Sequence, residues 1–174
     1  MEKTKLKKTF LENTPQIDDS VWIADSADII GKVIIKENSS VWYTTVIRAD
    51  INHISIGMRT NIQDGAVIHV ENDYACIIGD DVTIGHRAII HACTIESGVL
   101  IGMGAIILNG AVIKKGAVIG AGAVIKENTI VNENELWVGV PGKYIKKSIN
   151  SYNTNIKWAM KYVQLKNKYG MAAK

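Results

Sequence analysis

The stretch from Ile95 to Val131, IESGVLIGMGAIILNGAVIKKGAVIGAGAVIKENTIV, carries an isoleucine or a valine at every sixth position. An amphipathic helix would repeat its apolar residues every three or four positions, and a half-buried strand every two. A step of six is instead typical of a solenoid in which each unit is one short strand followed by a corner. Stacked turns of such a solenoid bury a continuous inner column of aliphatic side chains.

The same step, broken once by a five-residue unit, runs upstream through Ile23, Ile29, Ile35, Val41, Ile47, Ile56, Ile62, Ile68, Ile78, Ile84 and Ile90. Nine positions separate Ile47 from Ile56, and ten separate Ile68 from Ile78, so three and four extra residues leave the solenoid near ADIN and ENDY. Loops expelled from a solenoid gather around its working face, which directs attention to these turns.

The hexad pattern predicts an N-terminal segment at residues 1–20, an all-β solenoid at 21–140, and a linker with a C-terminal α-helix at 141–174. The helix is expected from about Thr154 to Tyr169, packed on the solenoid or on a neighbouring subunit and covering an open edge of the coil. Its two apolar stripes are Ile156, Met160 and Val163, and Trp158, Tyr162, Leu165 and Tyr169.

The composition excludes several classes of function. A net charge of +3, with lysines concentrated at both ends of the 174 residues, is too small for a nucleic-acid groove. No apolar run is long enough to cross a membrane, and lysines near the start are not followed by the apolar segment of a signal peptide. Cys76 and Cys93 lack the close spacing of a disulfide or zinc motif, so we expect reduced thiols and a cytoplasmic protein.

The register of the repeat brings two histidines together. If three units make one turn, Ile47, Ile68 and Ile90 lie on the same face of successive turns. The residues that follow them, Arg48, His69 and His91, then form a ladder with a spacing of about 4.8 Å, that of neighbouring strands. We therefore predict that His69 and His91 can reach a single metal ion.

His86 belongs to another face, in the slot that Asp64 occupies one turn earlier. A face of five residues is about 15 Å wide, so His86 cannot reach the ladder of its own chain. It can reach the ladder of a neighbour if solenoids pack around a threefold axis, which would also bring Asp64 beside Arg48 of the next subunit.

Three neutral imidazoles with an open fourth position are the ligands of a catalytic zinc site. A histidine on a strand is more often a hydrogen-bonded surface residue than a ligand. Three of the four histidines fall in this one pattern, however, flanked by Arg48, Gln63 and Asp64, which favours a site. Cys93 stays open as a fourth ligand, and His53 receives no role.

The segments VIRADIN, TNIQDGAVIHV, IGHRAIIHACTI and IGMGAIILNGAVI resemble those of the γ-class carbonic anhydrases, over residues 15–145. The resemblance implies a left-handed parallel β-helix of about six turns, assembled as a homotrimer that hydrates CO₂ reversibly to bicarbonate. It assigns the metal to His69 and His91 of one subunit and His86 of the neighbour, with Zn²⁺ the first candidate and Fe²⁺ or Co²⁺ alternatives.

The same resemblance implies roles for residues around the metal. Gln63 orients the hydroxide, with Asn61 beside it. Arg48 and Asp64 pair across the trimer interface, where Asp50 joins them, and Tyr162 of the helix reaches the site.

The sequence also departs from active members of this family, which carry a Glu where this chain has Ile51 and a longer acidic loop where it has Glu71 and Asp73. Proton transfer therefore lacks its usual acidic groups. Three other hypotheses stay open: a thioesterase-like relative acting on another small carbonyl, a non-catalytic metal-binding trimer, and a hexapeptide acyltransferase that uses one basic histidine and no metal.

Overall fold

All eighteen aliphatic anchors lie inside a triangular solenoid, and none exposes more than 8% of its surface. The computed structural model describes residues 7–172. The fold is the predicted left-handed parallel β-helix with one C-terminal helix. Its core forms because each anchor is the in-register strand partner of the anchors in the turns above and below, so their side chains stack.

Three flat faces make up the solenoid. Face 1 consists of β3 (Trp22–Ile23), β5 (Ser40–Val41), β7 (Asn61–Ile62), β10 (Thr83–Ile84), β13 (Leu100–Ile101), β16 (Val118–Ile119) and β19 (Glu135–Val138). Face 2 consists of β1 (Lys7–Lys8), the first halves of β4 (Asp28–Ile35) and β6 (Val46–Ile56), β8 (Val67–His69), β11 (Ile89–His91), β14 (Ile106–Ile107) and β17 (Val124–Ile125). Face 3 consists of β2 (Gln16–Ile17), the second halves of β4 and β6, β9 (Cys76–Ile78), β12 (Thr94–Ile95), β15 (Val112–Ile113) and β18 (Ile130–Val131).

Each face therefore has seven parallel strands in the described part of the chain. This is one turn more than the six expected from the resemblance. The additional turn comes from β1 and β2, which pair with β4. Ile17 of β2 precedes Ile23 by one hexad step and packs against the core, whereas β1 consists of two lysines. At the other end, β20 (Lys143–Lys147) pairs antiparallel with β19 and closes the sheet.

A second inner column lies two residues before the anchors and, apart from Ile54, is filled by side chains no larger than valine. Cys76 and Cys93 occupy this column on adjacent turns of face 3, and both are buried free thiols. Hydrogen bonding to Cys76, together with burial, raises the pKa of the Cys93 thiol well above its ordinary value. Cys93 is thus a core residue that faces the interior, not a ligand beside His91.

The extra residues leave the solenoid where the sequence analysis expected them. Residues 50–53 of β6 lie opposite a single residue of β4, Lys32, so the strand bulges outward at this corner. The amide nitrogen of Asn52 donates to the backbone carbonyls of Glu71 and Asn72, each at 3.0 Å. The two protruding corners therefore support each other on one edge of the molecule.

The C-terminal helix, α1 (Ser151–Ala172), lies along face 1 and contacts β3, β5, β7 and β10. The expectation that it covers an open edge of the coil is wrong. Its boundaries extend beyond the predicted 154–169, because the apolar stripes do not reach its polar first turn.

The most deeply buried residues of α1 belong to neither predicted stripe, although Tyr162 and Tyr169 of the second stripe pack against Trp42. The buried positions are Ser151, Asn155, Ala159 and Lys166, whereas Trp158 stays 45% exposed. Small residues let the helix approach the corners of the solenoid, where backbone carbonyls need donors. The Asn155 amide meets this need by donating to the carbonyl of Gly98 at 2.9 Å.

No helix in the described part of the chain combines the length and the apolar character needed to cross a bilayer.

Candidate metal centre

His69 and His91 stack on neighbouring strands of face 2, as their register predicted. Arg48 of β6, His69 of β8 and His91 of β11 are direct partners in the parallel ladder. Nδ1 of His69 lies 3.1 Å from Nε2 of His91, and the ring centroids are 5.1 Å apart. The two imidazoles therefore turn one nitrogen each toward a common point.

The outer nitrogens of the two rings are held by oxygen acceptors. Nε2 of His69 lies 3.0 Å from Oδ1 of Asp50, and Nδ1 of His91 lies 2.6 Å from Oδ1 of Asn109. Each outer nitrogen carries a hydrogen in this arrangement, because carboxylate and amide oxygens only accept. When both rings are neutral, the two facing nitrogens are left with lone pairs.

Asp50 is an ionised acceptor in this network. Burial by itself would raise the pKa of Asp50, but hydrogen bonds from His69, from its own backbone and from Arg48 outweigh burial and lower it. Nη1 of Arg48 donates directly to Oδ2 of Asp50. The structure therefore brings Arg48, Asp50 and His69 together within one chain.

His86 lies at the corner that follows β10 on face 1. Its Nδ1 is 2.8 Å from Oδ2 of Asp64, the residue in the same slot one turn earlier, and its side chain is 43% exposed. Among residues 7–172, no three His, Cys, Asp or Glu side chains are placed to hold one metal ion. A single chain thus presents two imidazoles together and the third apart from them.

Gln63 and Asn61 form a short amide relay on face 1. Asn61 Nδ2 donates to Thr83 Oγ1 at 3.0 Å and to the carbonyl of Val82 at 3.3 Å. The Val82 carbonyl can only accept, so it fixes which end of the Asn61 amide faces Gln63. Nε2 of Gln63 then donates to Oδ1 of Asn61 at 3.0 Å, which leaves the Gln63 oxygen available as an acceptor.

A groove of about 410 Å³ between face 1 and α1 contains both Gln63 and His86. Tyr162 of α1 lines the same groove and packs edge-on against Trp42, with ring centroids 5.3 Å apart. Burial, and secondarily the charge of Asp64, raise the pKa of Tyr162. Tyr162 of the helix therefore shares a surface with two of the predicted site residues, Gln63 and His86.

Sequence reasoning missed two features of face 2. The first is Asn109, which follows the anchor Ile107 by two residues and lies on the turn above His91. The second is an outward column of apolar residues beside the histidine ladder. This column consists of Val46, Val67, Ile89, Ile106 and Val124, paired in register.

Two members of this column, Val67 and Ile89, are 38% and 39% exposed. Each residue of the column directly precedes an anchor, so the sequence itself could have revealed the column. His53, which received no role, hydrogen-bonds to the neighbouring Asn52.

Known proteins share both this fold and this sequence pattern. Residues 92–127 match the family model described as bacterial transferase hexapeptide (six repeats). The chain is 53% identical over 150 residues to a protein of Methanocaldococcus jannaschii named "Probable carbonic anhydrase", covering 86% of this chain and 94% of that protein. It is 43% identical over 142 residues to "Gamma carbonic anhydrase 2, mitochondrial" of Arabidopsis thaliana, covering 78% of this chain and 51% of that protein. The chain thus spans about half the length of the Arabidopsis relative.

A solved structure of a hexapeptide transferase family protein from Anaplasma phagocytophilum has a TM-score of 0.91 at 36% identity, covering 95% of this chain and 99% of that one. The fold and its hexapeptide repeat define a class, the left-handed β-helix proteins of hexapeptide repeats. Within this class, the chain belongs to the γ-carbonic anhydrase-like family, whose named relatives are carbonic anhydrases and transferases.

Proposed function

We propose that this protein is a metal-dependent enzyme that reversibly hydrates CO₂ to bicarbonate, at sites between the subunits of a homotrimer. His69 and His91 of one subunit and His86 of the next would hold the ion, for which Zn²⁺ is the first candidate and Fe²⁺ or Co²⁺ the alternatives. The observation that carries the proposal is the separation of 3.1 Å between Nδ1 of His69 and Nε2 of His91.

The two facing lone pairs fit a cation. Two neutral rings in this arrangement repel, because neither facing nitrogen has a hydrogen to donate. Bonds of about 2.0–2.1 Å in a tetrahedral shell place two nitrogen ligands about 3.3 Å apart, close to the observed distance. The acceptors behind the rings, Asp50 and Asn109, are the outer partners that metal-bound histidines usually have.

The proposed trimer is supported by the surface around the ladder. A flat column of apolar side chains on the outer surface is typical of a protein–protein interface. Here the column runs directly beside His69 and His91. His86 projects from a different corner and is partly exposed, so it is accessible to a neighbouring copy. In such an assembly, Arg48 would exchange part of its contact with Asp50 for Asp64 of the next subunit.

With a divalent ion bound, His69 and His91 of one subunit and His86 of the next would provide a site at which water ionises near neutral pH, and so a nucleophile for CO₂. Gln63 supports this chemistry because its free amide oxygen can accept a hydrogen from the nucleophile and orient its lone pair. Asn61 holds Gln63 in place, and Tyr162, packed against Trp42, lines the same groove.

Proton release needs a route that differs from the acidic one of the resembled family. Ile51 is 49% exposed at the protruding corner and brings no carboxylate there. The Glu71 carboxylate bonds the backbone of Asn72 at 3.0 Å, within its own loop. We propose that the proton leaves through Tyr162 or through water in the groove. The free, buried thiols suit the reducing cytoplasm that we propose as its compartment.

Metal analysis combined with stopped-flow CO₂ hydration tests the proposal, on protein purified with and without oxygen. We expect about one ion per chain and hydration activity that chelation removes and Zn²⁺ or Fe²⁺ restores. Metal without hydration would favour the non-catalytic trimer, or the thioesterase-like relative if thioesters are cleaved. Acyl transfer from acetyl-CoA that survives chelation would favour the acyltransferase suggested by the transferase relatives.

A further inference from the structure

We infer that Asn109 is a positioning residue for the metal centre: it holds His91 in the tautomer with hydrogen on Nδ1, so that Nε2 stays free to bind the ion. This inference rests on the proposed metal site. It adds a residue from the turn above the histidines, outside the set that the sequence suggested.

The contact itself is direct and short. Oδ1 of Asn109 lies 2.6 Å from Nδ1 of His91, and Nε2 of His91 faces Nδ1 of His69 at 3.1 Å. A neutral imidazole carries one hydrogen, and its position is set by the acceptor that it meets. As long as Asn109 accepts at Nδ1, the lone pair of His91 points toward His69.

The backbone gives no other reason for an asparagine at this position. Asparagine is common at solenoid corners because it tolerates a left-handed backbone, and Asn128 and Asn134 have φ of 56° and 59°. Both follow their anchors by three residues. Asn109 follows Ile107 by two, and its neighbour Gly110 takes the left-handed conformation with φ 67°. The side chain of Asn109 is therefore available for a role other than shaping the corner.

The two ligand rings are also held by acceptors of different charge. His69 is backed by the Asp50 carboxylate, which Arg48 partly neutralises, and His91 is backed by a neutral amide. A carboxylate stabilises a protonated imidazole beside it, whereas an amide does not. Asn109 thus orients His91 without adding a second negative charge behind the site.

The experiment compares three variants. Asn109→Leu keeps the size of the side chain but removes the acceptor, and Asn109→Asp restores an acceptor. Glu127→Ala changes the same corner slot one turn further on, where the side chain is exposed, and serves as the matched control. Circular dichroism and the mass of the assembly establish that each variant is folded.

Two measurements decide the outcome. Two-bond ¹H–¹⁵N correlation spectra of the metal-free protein report the His91 tautomer, and competition with a chromophoric chelator reports Zn²⁺ affinity. We expect hydrogen on Nδ1 in the unaltered protein and in Asn109→Asp, and a mixture of tautomers in Asn109→Leu. Zn²⁺ affinity should fall about 10- to 100-fold in Asn109→Leu, and stay unchanged in Glu127→Ala.

The inference is overturned if His91 of the unaltered protein carries its hydrogen on Nε2, or if Asn109→Leu leaves tautomer and affinity unchanged. It is also overturned if His91 carries no hydrogen on Nδ1 in Asn109→Asp. The tautomer measurement needs neither metal nor activity. A protein that takes up no zinc would therefore refute the proposed function, while His91 would still test the role of Asn109.

Discussion

Mixed trimers offer a direct test of the proposed site between subunits. One chain carries His86→Ala and the other His91→Ala, and neither alone can assemble three imidazoles. The structure joins His69 and His91 in one chain at 3.1 Å and pairs His86 with Asp64 instead. In a trimer built from both variants, an intact site forms wherever a chain that keeps His86 meets a neighbour that keeps His91.

The expected recovery follows from the symmetry of the trimer. With equal amounts and random assembly, each chain at an interface is the required one half of the time. About one quarter of all sites are then intact, while either variant alone has none. Metal content and CO₂ hydration should both recover to about a quarter of the unaltered values, because each site works independently.

The assay uses co-expression of equal amounts of the two chains and purification of all trimers through a tag common to both chains. Intact-mass measurement gives the proportions of the chains, and metal analysis and stopped-flow kinetics follow. A mixture of His69→Ala with His91→Ala is the matched control. Both changes fall on the same half of the site, so no combination restores it. The reasoning would be refuted if the first mixture recovered nothing, or if the control mixture recovered as much.

Three further predictions concern the fold. Ile107→Ala should lower the free energy of unfolding by about 2–5 kcal/mol in urea titrations, because Ile107 is fully buried. Ile130→Ala, at a 54% exposed site on the outer surface, should change it by less than about 1 kcal/mol. Equal effects would contradict the stacked core. Asn155→Ala leaves the Gly98 carbonyl without its donor and should lower the free energy of unfolding by about 1–3 kcal/mol in the same titrations. Protease cleavage should then appear first in α1. An unchanged midpoint of urea unfolding would show that other contacts hold the helix. Burial would raise the pKa of Glu135, but hydrogen bonds from Trp137 and Asn132 lower it below its ordinary 4.5. The ionised carboxylate therefore stabilises the folded protein above pH 4.5, and this stabilisation is lost as the pH falls through the lower pKa of the folded state. The stability difference between the unaltered protein and Glu135→Gln should therefore shrink from pH 7 to pH 3, and a constant difference would argue against this account.

The helix shows where pattern reading fails. Its apolar stripes were strong, yet α1 buries Ser151 and Asn155 and leaves Trp158 largely exposed. The periodicity of apolar residues shows which side of a helix is hydrophobic. The surface against which the helix packs decides which of its residues are buried. Here that surface includes the corner at Gly98, whose carbonyl accepts from Asn155, and this favours small and hydrogen-bonding residues in the first turns of the helix.

The hexad step was sufficient to predict the solenoid and its buried column, and with three units to a turn also the stacking of His69 on His91. It could do so because in-register parallel strands convert a fixed spacing along the chain into a fixed spacing in space. The tertiary structure decided which nitrogen each imidazole presents, the contact from Asn109 and the pairing of His86 with Asp64. These depend on side-chain torsions and on residues from different turns, which no spacing along the chain determines.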